Sequence, residues 1–437
     1  MASVSTVPHA SVPRLPVRTL AAEVIDGPDR GTRAEGEVVS IGTAEGNTLR
    51  LADKTVSRFH CELTASGSAL TLRDLGSTNG TRVGPVRVER GELAPGTILE
   101  LGDSRVRVGA GALASAELHG APRFGPLVGR EPAMQRLMAT LARLAASDAP
   151  VLLVGESGTG KEVAAEAIHR GSARASEPWL VVDCGAIAPT LIASELFGHE
   201  RGAFTGADRA SHGAFERVGR GTIFLDEIGE LPLALQTTLL GVLERKRFRR
   251  LGSDRELTLG ARVIAATNRD LRAEVNAGRF RLDLYYRLAV VTVALPPLRE
   301  HLGDLVPLVE HFLAELGAST TALELFSPEA IAELERHAFP GNVRELRNLV
   351  EATLALGELP ALARPAETPE VPDAAIDALL DLPFREAKAR IVDRFERRYV
   401  GSWLERTGGN AAKAARETGL DRSYLTDLMR KHRLREK

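Results

Sequence analysis

The string GESGTGKE, Gly155 to Glu162, holds the residue types that chemistry on a phosphate chain requires. It follows the apolar run Val151-Leu152-Leu153-Val154 and precedes a helical pattern. Gly155, Gly158 and Gly160, with Glu156, Ser157 and Thr159 between them, let a loop curl so that its N–H groups converge on an anion. The helix that follows presents its positive N-terminus to the same point. Lys161 is spaced to reach the β- and γ-phosphates of ATP. Glu162 stands where Ser or Thr usually ligates Mg²⁺. A glycine-rich turn without nucleotide is the alternative, and strand, loop, lysine and helix in succession argue against it.

A second apolar run ends in acids, Ile223-Phe224-Leu225-Asp226-Glu227. Residues leaving the carboxyl end of a parallel strand point into the ligand crevice. Asp226 is therefore the candidate to hold Mg²⁺ through water, and Glu227 the candidate to polarise an attacking water. Such a base contributes about 10²–10⁴-fold to a rate. Two acids opening a solvated loop is the plainer reading.

These groups need a sheet to hold them. Helical stretches alternate with apolar runs from about Phe124 to Gly357, including Thr222–Leu225 and Val263–Ala266, which predicts an α/β domain with a largely parallel sheet. Before it, residues 18–117 carry short strand-sized pieces between glycine turns: Val38–Ile41, Cys61–Leu63, Leu70–Leu72 and Val106–Val108. Residues 1–17 read as a flexible tail, 358–381 as a linker rich in Pro, Ala and Glu, and 382–437 as helical throughout. The 437-residue length suits about three domains at roughly 150 residues each. A net charge of −2 means that any surface for nucleic acid is local. Cys61 and Cys184 fall in different domains, which argues against a disulfide framework and fits a reducing cytoplasm. No apolar run reaches the ~20 residues of a membrane span.

Residues 127–356 resemble the AAA+ domain of bacterial enhancer-binding proteins, the activators of RNA polymerase bearing sigma-54. In that family the phosphate loop commonly reads GESGTGKE, so Glu162 is the family's own variant. The resemblance implies that Thr267 and Asn268 form sensor I, reading the γ-phosphate. It implies that Arg281 and Arg287, in FRLDLYYRL, reach a neighbouring subunit's nucleotide, and that Arg344, in PGNVREL, is sensor II on a helical lid. An arginine finger is worth about 10³–10⁵ in rate. Without the resemblance, Asn268 reads as a helix cap and the three arginines as surface charge. Two departures stand out: Asp183 in VVDCGA, where the family often has an Asn that restrains the catalytic glutamate, and Phe339 in place of a frequent Trp.

GAFTGA (Gly202, Ala203, Phe204, Thr205, Gly206, Ala207) sets this family apart from other AAA+ enzymes. Two glycines in six residues suit a loop rather than a buried strand. By resemblance it grips sigma-54, with Phe204 and Thr205 at its tip; the other possibility is an ordinary glycine-rich loop. In the amino-terminal segment, IGT (41–43), VSRFHCEL (56–63) and DLGSTNGT (74–81) resemble a forkhead-associated (FHA) domain, an eleven-stranded β-sandwich whose loops bind phosphothreonine. The resemblance implies that Ser57, Arg58 and Thr78 contact phosphate and Asn79 the peptide backbone, with His60 and Gly42 structural. Thr43 replaces the family's arginine, removing a charge-assisted phosphate contact. Lys54 and Arg58 are the candidates to compensate, and phosphothreonine binding is either weakened or rebuilt. A domain kept for regulation without phosphate is the alternative.

From Phe384 to Lys437 there are 15 Lys/Arg against 8 Asp/Glu, a net of +7. Asn410–Thr418, a turn at Gly419, an N-cap at Asp421 and Arg422–Lys431 form a helix-turn-helix pattern. GGNAAKAARETGLDRSYL resembles the Fis-type DNA-binding motif, placing Arg422, Ser423, Tyr424 and Thr426 toward double-stranded DNA. A basic hairpin for oligomerisation is the alternative.

The sequence thus predicts a multidomain chain: an all-β FHA sandwich, an α/β AAA+ P-loop ATPase with an α-helical lid, and an all-α helix-turn-helix. The expected function is a cytoplasmic, ATP- and Mg²⁺-dependent activator that remodels sigma-54 RNA polymerase, working as a dimer to hexamer. A phosphothreonine protein or Ser/Thr kinase is the expected regulator, since no receiver-like segment precedes the motor. A general AAA+ remodelling enzyme should lack GAFTGA. A DNA-binding repressor with a vestigial ATPase should have damaged catalytic residues.

Overall fold

The computed structural model describes residues 13–66, 69–362, 384–407, 410–418 and 422–432. Residues 1–361 form one compact unit and 362–437 a second. No helix among the described residues is long and apolar enough to cross a membrane.

Alternating apolar residues build the amino-terminal sandwich. One sheet has the order β2-β1-β11-β10-β7-β8 and the other β4-β3-β5-β6-β9. Their ranges are β1 Arg14–Asp26, β2 Arg33–Gly36, β3 Val38–Gly42, β4 Leu49–Arg50, β5 Cys61–Ser66, β6 Ala69–Asp74, β7 Thr81–Val83, β8 Val86–Arg87, β9 Arg90–Leu93, β10 Ile98–Leu101 and β11 Ser104–Glu117. The eleven strands agree with the FHA expectation. Leu20, Val24, Ile41, Leu63, Leu72, Val106 and Val108 meet between the sheets. β1 begins at Arg14, inside the stretch read as a tail, because Arg14 to Arg18 pair along the far end of β11. Residues 1–12 of that tail lie outside the described residues.

The central domain is a five-stranded sheet in the order Trp179–Asp183, Thr222–Asp226, Arg262–Thr267, Val151–Val154, Val291–Ala294. Every pairing is parallel. The buried strands run continuously apolar because helices cover both faces. The carboxyl ends of Val151–Val154, Thr222–Asp226 and Arg262–Thr267 are therefore neighbours, bringing the phosphate loop, the paired acids and Asn268 to one edge. Helices Leu305–Glu315, Ala322–Leu325, Pro328–Arg336 and Asn342–Leu356 follow as a helical lid. Cys61 and Cys184 are both free and buried.

The sandwich and the α/β domain share a core. Phe59, Ala44 and Leu75 pack into the cluster containing Leu284 and Tyr285. Phe59 is 1% exposed, with its ring edge-on to Tyr285 at 5.3 Å and the Arg272 guanidinium 5.7 Å above it. Asn276, the last residue of helix Leu271–Asn276, donates to the carbonyls of Phe59 and Leu75 at 2.5 and 2.9 Å. Arg272 pairs with Glu62 at 2.7 Å. Arg73 pairs with Asp270, Arg136 with Glu37, and the Tyr286 hydroxyl donates to the Glu45 carbonyl.

In the second unit, helices Phe384–Arg406, Ala411–Thr418 and Arg422–Lys431 enclose Val400, Leu404, Ala414, Ala415, Leu425 and Leu428. The alanines let the helices approach closely. Gly419 and Asp421, the expected turn and cap, and most of the linker lie outside the described residues.

Candidate functional site

Gly155–Gly160 follows strand Val151–Val154 directly. Gly158 has φ of 78°, and a Cβ there would lie 2.2 Å from the Gly341 carbonyl oxygen, so only glycine lets the lid close on the loop. Lys161 opens helix Lys161–Arg170. Its side chain is 6% exposed, and Nζ donates to the carbonyls of Gly155 and Glu156 at 3.0 and 3.1 Å. It also stands 4.0 Å from Glu227 Oε1. Burial lowers the Lys161 pKa, opposed by the charges of Glu227 and Asp226.

Glu227 leaves its strand with φ of 47°. A left-handed non-glycine residue at a strand end marks a constrained position. Burial raises its pKa, while a hydrogen bond from the Asn268 backbone N–H to Oε2 at 3.1 Å opposes that. Burial likewise raises the pKa of Glu162, helped by the Asp226 charge. The charges of Asp226 and, more weakly, Asp183 act on Glu162, so the edge beside the lysine is acidic and offers carboxylate oxygens, the donor type a hard divalent cation takes. Asp183 is turned to its own loop: Oδ1 accepts from Gly185 and Ala186 N–H at 2.8 and 3.1 Å.

Thr267 is fully buried and accepts from Arg269 N–H. Asn268 is not a helix cap; Asp270 caps helix Leu271–Asn276 by accepting from Arg272 and Ala273. The lid reaches the loop through Arg344, whose Nη1 donates to Ser157 Oγ at 3.0 Å. Two groups missed in the sequence join it. Asn342, at φ of 53°, donates to Ser157 O at 3.0 Å and Glu156 Oε2 at 3.1 Å and accepts from Leu298 N–H. Arg299 grips Glu156 at 2.8 and 2.6 Å, and that contact first, then Asn342, lowers the Glu156 pKa to about 2. An asparagine following Pro-Gly was a signal for a left-handed residue; Arg299 carried none.

Arg281 is the N-cap residue of helix Leu282–Leu288 and Arg287 lies in its last turn. Arg281 pairs with Asp283 at 2.6 Å, and Arg287 donates to the Leu243 carbonyl at 3.0 Å. Among the described residues, none of their hydrogen-bond partners belongs to the phosphate loop of the same chain.

Gly202 and Gly206, at φ of 81° and 97°, shape the GAFTGA loop, closed by Gly202 N–H to Ala207 O at 2.8 Å. Ala207 is buried, Ala203 half-buried, and Thr205 exposed. Phe204 is 38% exposed, its ring 5.0 Å from His199. The base is held by Arg250, which joins Glu200 at 3.1 Å and Glu216 at 2.6 Å.

At the sandwich apex, Ser57 Oγ accepts from Thr78 N–H at 2.9 Å, and Asn79 donates to the Thr55 carbonyl at 2.8 Å. Buried His60 accepts from Ser57 N–H at 3.2 Å, and burial lowers its pKa. A Cβ on Gly42 would strike the Arg58 carbonyl, as its structural role requires. Lys54 and Arg58 are exposed. Arg50, not foreseen, donates from Nε to the Thr43 carbonyl at 3.2 Å, placing a guanidinium beside the altered position.

In the second unit, Asn410 Oδ1 caps its helix by accepting from Lys413 N–H at 3.0 Å. Tyr424 and Thr426 are exposed on helix Arg422–Lys431; the side chains of Arg422 and Ser423 lie outside the described residues.

Residues 127–294 match the family described as the sigma-54 interaction domain, 39–102 the FHA domain and 299–365 the AAA+ ATPase lid domain. The transcriptional regulatory protein ZraR of Klebsiella oxytoca is 43% identical over 309 residues, covering 70% of this chain and 68% of that protein. The DNA-binding transcriptional regulator NtrC of Azospirillum brasilense is 41% identical over 331 residues, covering 70% and 69%. The crystal structure of NtrX from Brucella abortus in complex with ATP is similar at 34% identity and a TM-score of 0.49, over 71% of this chain and 70% of that one.

Proposed function

Because this chain belongs to the family of transcriptional regulators built on a sigma-54 interaction domain, we propose that it is a cytoplasmic, DNA-anchored activator that spends ATP hydrolysis on remodelling the sigma-54 polymerase closed complex. The observation that carries this is one domain holding both an intact nucleotide site and the GAFTGA loop, with Phe204 and Thr205 exposed.

The phosphate loop binds the triphosphate through its backbone N–H groups, Lys161 and Ser157. Asp226 holds Mg²⁺, with the Glu162 carboxylate beside it. When bound, Mg²⁺ neutralises charge on the phosphates. Glu227, fixed by the Asn268 N–H and partly desolvated, takes the proton of the attacking water. Its position 4.0 Å from Lys161 Nζ keeps that proton acceptor next to the γ-phosphate's anchor. Arg344 senses the nucleotide from the lid. Arg281 and Arg287 complete a neighbour's site, so hydrolysis needs a ring, most simply a hexamer.

Ser57, Arg58, Thr78 and Asn79 read a phosphothreonine segment, with Arg50 standing in for the arginine absent at Thr43. The FHA domain regulates the motor through Phe59 and Asn276, which tie the phosphate-reading loop to the helices before Arg281 and Arg287. The +7 carboxyl-terminal helices bind DNA, with Tyr424 and Thr426 presented by the second helix of the turn.

Opening of a sigma-54 promoter, followed by single-strand-specific probing of the DNA, tests the reading. Wild type with ATP should open it. Wild type with a non-hydrolysable analogue and the Glu227→Gln variant should not. Opening that proceeds without hydrolysis contradicts the proposal.

A further inference from the structure

At the amino end of the parallel sheet, opposite the phosphate loop, a cavity of about 330 Å³ is lined by Asp148, Arg174, Lys246, Arg262 and Arg287, with Leu259 and Val263 as apolar walls. Four cations face one carboxylate there, and that carboxylate is engaged: Arg174 Nε and Nη2 donate to Asp148 at 3.0 and 2.8 Å. Arg262, the first residue of its strand, is 2% exposed. Its Nη2 donates to the Leu144 carbonyl at 2.8 Å, but Nε and Nη1 meet no hydrogen-bond partner among the described residues. Lys246 ends helix Leu233–Arg245 at φ of 55° and is exposed at the cavity's edge. The residue is exposed overall, but the side of it that lines the cavity is desolvated, which disfavours the ammonium, as do the charges of Arg287 and Arg174.

A buried guanidinium with unpaired donors is among the costlier features a fold can carry, and a negative partner relieves it. Asp148 cannot serve twice. The complement must be anionic, small enough for the cavity and rich in acceptors. Forked guanidinium donors together with an ammonium match a tetrahedral oxyanion. We propose that this cavity is a second phosphate site, binding a phosphate-class oxyanion between Arg262, Lys246 and Arg287. Bound there, the anion holds Arg287 to its own subunit, beside the Leu243 carbonyl it already meets. This consequence rests on the reading of Arg287 as a residue that reaches a neighbouring nucleotide. Phosphate released by hydrolysis then slows the ring by retaining its fingers. The same chemistry is offered by free phosphate and by the phosphate of a mononucleotide.

The test is calorimetric titration of the full-length chain with inorganic phosphate, and separately with AMP, after saturating the phosphate loop with a non-hydrolysable ATP analogue. Wild type should bind inorganic phosphate. Lys246→Gln and Arg262→Gln should weaken binding by about tenfold or more, the effect of losing a charge-assisted hydrogen bond, and Lys246→Arg should restore it. Lys246 is exposed, so its variants read the site even if Arg262→Gln fails to fold. AMP binding that phosphate displaces admits the nucleotide as a source; phosphate binding without it restricts the site to the free anion. No phosphate binding in wild type, or binding unchanged in Lys246→Gln, overturns the proposal. The Arg287 reading fails separately, if Arg287→Ala subunits mixed with wild type leave ATP hydrolysis unchanged. That outcome removes the effect on the ring and leaves the binding result standing.

Discussion

The phosphate loop and the Ser57–Thr78 face are both proposed to receive a phosphate, and they are constructed differently. In the loop the cation is buried: Lys161 is 6% exposed and braced by two backbone carbonyls, with the lid's Asn342 and Arg344 closing from above. In the sandwich the cation, Arg58, is exposed, and the rigidity lies beneath it in His60, Phe59 and the Ser57–Thr78 contact. The first arrangement suits catalysis, where donors must be aimed before the reaction begins. The second suits reversible recognition, in which solvent competes and affinity stays moderate. A substitution at the loop should therefore abolish function, whereas one at the sandwich face should tune it.

Glu227→Gln gives the largest expected effect. Steady-state ATP hydrolysis should fall about 10²–10⁴-fold with nucleotide affinity nearly retained; a drop below about threefold would mean that another group is the base. Next comes Phe59→Ala, which empties a site shared by both domains. Thermal unfolding should show a loss of about 3–5 kcal/mol, the usual cost of a buried Phe→Ala change, and limited proteolysis should release the sandwich from the motor. A loss confined to the sandwich, with no change in release, would argue against a shared core. Arg58→Ala and Arg50→Ala should each weaken a phosphothreonine peptide by about 10-fold or more, as charge-assisted contacts do, and leave an unphosphorylated peptide unaffected. Equal affinities for the two peptides in wild type would end the phospho-reader assignment. The smallest effect is expected at Asn342→Ala, a few-fold loss in ATP affinity measured by titration, since Arg344 still tethers the lid.

What the sequence disclosed follows the same division. GESGTGKE and the acids at 226–227 are contiguous and were legible because local chain geometry dictates their residue types; GAFTGA and the FHA strings, also contiguous, were legible through the families they resemble. The parallel sheet followed from apolar runs alternating with helical stretches, and four strand-sized pieces of the sandwich from apolar runs between glycine turns; its count of eleven strands followed from the FHA resemblance. The contacts that join these pieces were not legible. Asn342 and Arg299 meet Glu156 from far along the chain, Asn276 meets Phe59 across two domains, and Arg50 reaches Thr43 only because β3 and β4 pair in parallel. Arg262 gave no signal at all: as the first residue of an apolar run it reads as a surface charge, yet the fold buries it. Periodicity shows which face of an element is covered, not which distant residue covers it.

Hydrolysis is proposed to reach sigma-54 through the exposed tip of the GAFTGA loop. The most direct test is transcription in vitro from a sigma-54 promoter carrying this protein's binding site, with ATP hydrolysis measured alongside, comparing wild type with Thr205→Ala. Thr205→Ala should hydrolyse ATP yet yield no transcript, while wild type does both. Transcription by Thr205→Ala at the wild-type level, or wild type that hydrolyses ATP and never activates even without its FHA domain, would contradict it.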